Sequence, residues 1–150
     1  MKVLPIRKGP RPATGPAVPH QQLSQIAPVA LQEELWRRMT GLAGVRTGPS
    51  GISFPESRAL HLARPGSDPT AFLVDAEFAH LHGPDDGSLH LCLPLERVAD
   101  VERAGWGELH PVARAGERPG TLLMVFGPRD EAELDVVWGL VRESHAFAVG

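Results

Sequence analysis

At 150 residues the chain has room for one domain with a real core, and 42% hydrophobic with 22% charged residues is the balance of an ordinary globular protein. The net charge of −3 is uneven: Lys2, Arg7, Lys8 and Arg11 give the first 32 residues +4 with no acid, leaving −7 on the remainder. An acidic body excludes a nucleic-acid groove. The single cysteine, Cys92, excludes an intrachain disulfide and, without CxxC spacing, a zinc finger. No window approaches the roughly 20 apolar residues of a membrane span, so a soluble, cytoplasmic protein is expected.

Residues 1–23 combine the four cations with five prolines and no apolar periodicity, and no apolar run reaches signal-peptide length. This is the composition of a disordered basic tail, whose removal should leave a domain over 24–150 folded. That domain opens with a helix: Leu31, Leu35, Trp36, Met39 and Leu42 recur at helical spacing, Pro28 suits the first turn, and Gly41 or Gly44 can end it. Two short strands are expected around Pro55, and "PTAFLVDAEFAHLH" carries the longest strand signal. Alternation there puts Phe72, Val74, Ala76, Phe78, His80 and His82 on one face and Glu77 on the other.

"GPDDGS" supplies turn chemistry and "SLHLCLP" the returning strand. A loop centred near Asp86 sets His90 opposite His82 and Cys92 opposite His80, gathering three imidazoles on one hairpin face. "PLERVADVERAGWG" predicts a helix with Pro94 at its start, a stripe of Leu95, Val98 and Val101, and Gly105 as its stop. "TLLMVFGP" predicts a strand. The chain closes on a helix buried through Leu134, Val137, Trp138 and Val141, with Asp130 and Glu133 at capping-box spacing. The order of elements fits an α+β fold, a single domain with a mainly antiparallel sheet and helices packed on one face.

His80, His82 and His90 admit three readings: a hydrogen-bonded sheet end that holds the loop through Asp85 and Asp86, a metal site, or metal-free acid/base chemistry. His110, before Pro111, is held extended in a loop. His20 in the tail, His61 and His145 receive no chemistry. Arg129 precedes a helix N-terminus, where a cation opposes the dipole, and either binds an anionic group or pairs with a carboxylate. Cys92 reads as a half-buried core residue, and Trp106 and Trp138 as core aromatics.

Three motifs, "EFAHLHGPDDGSLHLCL", "GWGELHPVA" and "FGPRDEAELDVV", taken in this order, resemble the luciferase domain of bioluminescent fungi and the bacterial proteins of unknown function grouped with it. The resemblance covers roughly residues 71–145. It matches Glu77, His80, His82, Asp86, Ser88, His90, Trp106, His110, Pro111, Pro128, Arg129, Glu131 and Glu133. It implies chemistry like that of the fungal enzymes, which oxidise a hydroxylated styrylpyrone with molecular oxygen, losing carbon dioxide and emitting light. The chain departs from them in lacking an N-terminal membrane segment.

Two functions of different class follow. One is a small-molecule enzyme, an oxygen-dependent oxidation of an acidic or enolic compound: His80 or His82 as base, His90 sharing the proton, His110 bonding a substrate oxygen, and Arg129, Asp86 and Trp106 binding substrate. It needs either no cofactor or a divalent metal such as iron on His80, His82 and His90. The other is a non-catalytic module that keeps the pocket to hold a ligand or a protein partner. The expected partner is a small molecule, with no nucleic acid and no membrane, and the sequence does not set an oligomeric state.

Overall fold

A computed structural model describes residues 2–150. Helix α1 spans Val29–Thr40, and strands β1 (Val45–Pro49) and β2 (Arg58–Leu62) follow. Strand β3 (Glu77–Leu81) and strand β4 (Leu89–Cys92) form the hairpin, and helix α2 covers Leu95–Ala104. Strand β5 (Gly107–Leu109), the short helix α3 (Pro111–Arg114), strand β6 (Leu122–Val125) and helix α4 (Glu131–Val149) complete the chain. The six strands are ordered β1-β2-β3-β4-β6-β5, and each neighbouring pair is antiparallel. The expected α+β fold is thus present.

The helix ends follow from local chemistry. Pro28 and Pro94, with φ near −54°, precede α1 and α2, and Gly105 closes α2 at φ 86°, a conformation that costs glycine nothing. The Asp130 carboxylate accepts the Glu133 N–H at 2.8 Å, and the Glu133 carboxylate accepts the Arg129 N–H at 2.9 Å, so the predicted capping pair forms. In α2 the buried stripe is Val98, Val101 and Ala104, while Leu95 is 63% exposed.

One face of the sheet is the core. Leu60, Leu62, Ala79, Leu81, Leu89, Leu91, Leu123 and Val125 meet Leu35 and Met39 of α1, the α2 stripe, and Leu134, Val137, Leu140 and Val141 of α4. Each fully buried leucine stabilises the fold by about 2 kcal/mol. Sheet alternation sends Ala59, His80, His90 and Met124 to the opposite face.

Four expectations are corrected. No strand lies at 51–54; that stretch is a loop, and the unforeseen β1 precedes it. The hairpin pairs His80 with His90 and Leu81 with Leu89, a register two residues from the expected one, which preserves the face but breaks the Cys92–His80 pairing. A β-bulge places Leu60 opposite Ala79 but His61 opposite Glu77, making Phe78 the extra residue. Phe78 therefore joins Ala79 in the core, and Glu77 turns to the side of His80.

The fourth correction concerns the N-terminal segment expected to be disordered. Arg7 N–H bonds Ala104 O at 2.9 Å, Trp106 Nε1 bonds Pro5 O at 2.6 Å, and Thr14 bridges to Gln22. Arg7, His20 and Gln22 are buried, so the segment crosses the sheet face that carries the histidines.

Candidate active site

His80 and His82 lie two residues apart at the end of β3, and His90 is paired beside His80 on β4. Their rings converge. His80 Nε2 lies 3.2 Å from His82 Nε2 and 3.2 Å from His90 Nδ1, and the last two are 3.1 Å apart. All three residues are buried.

The other ring nitrogen of each is held by a relay that ends on a carboxylate. His80 Nδ1 meets Glu77 Oε2 at 2.7 Å, and that carboxylate also accepts Ser50 Oγ and Gly51 N at 2.8 Å each. His82 Nδ1 meets Ser88 Oγ at 2.9 Å; the Ser88 hydroxyl is itself given to Asp86, which Gln22 N also bonds at 3.2 Å. His90 Nε2 meets His20 Nδ1 at 3.0 Å, and His20 Nε2 meets Glu108 Oε2 at 2.8 Å.

These contacts fix the tautomers. An ionised carboxylate only accepts, so His80 Nδ1 and His20 Nε2 donate. The Ser88 proton is spent on Asp86, so His82 Nδ1 donates as well. His20 Nδ1 is then an acceptor, and His90 donates to it from Nε2. The three converging nitrogens, His80 Nε2, His82 Nε2 and His90 Nδ1, therefore present lone pairs to one another.

Electrostatics agree with a neutral His80 and a neutral His90. Burial lowers His80, and burial with its imidazole neighbours lowers His90 well below the usual range. Burial alone would raise Glu77, Asp86 and Glu108, but hydrogen bonds from His80, His82 and His20 hold all three below the usual carboxylate range.

The cluster lies in the wall of a cavity of about 810 Å³. His110 lines it too, capping α3: its Nδ1 accepts the Val112 N–H at 3.2 Å, which leaves Nε2 carrying the proton. Burial, then His20 and His80, push His110 down to about 4. Arg118 brings a guanidinium to the cavity; one of its nitrogens bonds Leu73 O and none pairs with a carboxylate among the described residues. Val18, Leu23, Ile52 and Phe54, all exposed, add apolar wall.

Of the residues expected at the site, His80, His82, His90, His110 and Asp86 meet here, whereas Arg129 and Trp106 do not. Arg129 is saturated by Glu133, Gln25 Oε1 at 3.1 Å and Lys8 O at 2.7 Å, which makes it a clamp on the N-terminal segment. Trp106 packs in the core. Cys92 sits in a small apolar cluster, and burial pushes its thiol up to about 12. His20, Glu108 and Arg118 were missed. His20 and Glu108 are 88 positions apart, and the only local hint of burial at His20 was its place after Pro19 at the end of the proline-rich stretch.

A buried histidine constellation thus lines a cavity on one face of an antiparallel sheet. Residues 75–144, a little under half of the chain, match the family model of the Luciferase domain. The chain is 31% identical to the luciferase of Armillaria gallica, 30% to that of Armillaria ostoyae and 28% to that of Neonothopanus nambi. Each alignment takes in 96% of this chain, extending the likeness well before residue 71, and the chain spans 60% of the length of these relatives. No solved structure matches. No helix among the described residues is long and apolar enough to cross a membrane.

Proposed function

We propose that the protein is an enzyme that oxidises a small acidic or enolic molecule with dioxygen in the histidine-walled cavity. The observation that carries this is the convergence of His80, His82 and His90 on one point of that wall, within the segment that matches the Luciferase domain. An enol yields electrons to dioxygen far more readily as its enolate. Losing the proton requires a basic lone pair or a Lewis-acidic ion at that point, and three inward lone pairs suit either. His110 Nε2–H and Arg118 are the donors to the resulting anion, so Arg118 takes the role expected of Arg129. Ile52 and Phe54 offer an apolar surface to an aromatic body.

A hydroxylated styrylpyrone, the substrate class implied by the resemblance, is the first compound to test. Oxygen uptake and carbon dioxide release should exceed the background rate with the wild-type chain and fall to background with His90→Ala. Recovery of the compound unchanged, together with a ligand-dependent rise in melting temperature, would instead identify a binding module.

A further inference from the structure

We infer that His80 Nε2, His82 Nε2 and His90 Nδ1 are the three protein ligands of a divalent first-row transition-metal ion. The inference stands apart from turnover, because an ion binds an inactive protein equally well.

Geometry comes first. Metal–nitrogen bonds of about 2.1 Å place neighbouring ligand nitrogens about 3.0–3.4 Å apart between right-angled and tetrahedral arrangements. The three separations here are 3.2, 3.2 and 3.1 Å. A shared proton could bridge one of these pairs, whereas an ion above the triangle meets all three lone pairs at once.

The surroundings point the same way. Metal-binding imidazoles commonly give their second N–H to a carboxylate, directly or through one group. Here all three do: His80 to Glu77, His82 through Ser88 to Asp86, and His90 through His20 to Glu108. Three carboxylates thus stand behind three neutral ligands, a charge arrangement suited to a dication. An all-imidazole set favours iron, cobalt, nickel, copper or zinc over magnesium or calcium. Three protein ligands also leave coordination positions free, as at catalytic rather than structural centres.

Hydrogen-bond direction discriminates against the neighbouring triplet. His20, His90 and His110 could also bring three nitrogens together. However, His90 Nε2 donates to His20 Nδ1, and the Nδ1 of His110 is occupied by the Val112 N–H, so that group has no common set of inward lone pairs.

The test is titration of chelator-treated full-length protein with Co(II), followed by visible absorption. One equivalent should bind with a ligand-field band, and His82→Ala should weaken binding on the order of 100-fold while His61→Ala leaves it unchanged. Glu77→Gln, which keeps every ligand, should weaken binding roughly 10–100-fold. Absence of saturable binding by the wild-type chain would overturn the inference, as would a folded His82→Ala that binds like wild type. If His82→Ala fails to fold, Glu77→Gln decides, and unaltered affinity in that variant refutes the assignment.

Discussion

Gln22→Ala tests whether the N-terminal segment is part of the folded unit. The Gln22 side chain is buried and takes the Gly127 N–H on Oε1 at 3.0 Å, while its amide nitrogen donates to Ser24 O at 3.0 Å and Gln25 O at 3.1 Å. The Gly127 N–H is buried, and deleting the amide removes its partner. A buried donor left without a partner costs about 1–3 kcal/mol, and the lost amide bonds add about 1 kcal/mol after solvent replaces part of them. The sum is about 2–4 kcal/mol. For a chain of this length that lowers Tm by roughly 4–16 °C at about 2–4 °C per kcal/mol. Calorimetric melts of Gln22→Ala beside Val3→Ala, whose residue is 94% exposed, would show a large drop in the first alone. A Gln22→Ala melt within about a degree of wild type would refute the packed segment.

Three further outcomes follow. Cys92, with its thiol pushed up to about 12 and only 1% exposed, should resist a thiol reagent at neutral pH in the native protein and react at once in denaturant. Arg118→Met should weaken an anionic enol roughly 10–100-fold in a binding titration and leave a neutral analogue unaffected, since a hydrogen bond to a charged group contributes about 1.5–3 kcal/mol. Hydrogen bonds from Arg37 and then Arg38 lower Glu34 from 4.5 to about 2, so its contribution is present above pH 4.5 and lost as pH falls toward 2. Any stability advantage of wild type over Glu34→Gln in acid melts should shrink across that window.

What the sequence disclosed was local. Pro28, Pro94, Gly105 and the Asp130–Glu133 pair act within a turn of their own helices: α1, α2 and α4 begin, and α2 ends, where those residues require. Period-two alternation put His80, His82 and His90 on one face, and that survived a register error because the slip was two residues. The bulge at Phe78 was hidden, because it depends on how β2 meets β3, and with it the partnership of Glu77 and His80. His20 and Glu108 reach His90 only through the path of the N-terminal segment, whose prolines and charge read as disorder although Arg7, His20 and Gln22 are buried. Arg129 stood within a matching motif yet clamps Glu133, while Arg118, in no recognised motif, reaches the cavity.

The central claim is that three imidazole lone pairs meet at one metal-binding point. Anomalous diffraction from a crystal of the full-length chain grown with Co(II), collected on both sides of the cobalt edge, locates the ion itself. The account predicts one strong peak about 2.1 Å from His80 Nε2, His82 Nε2 and His90 Nδ1. A peak among His20, His90 and His110, or no peak within bonding distance of the three, would contradict it.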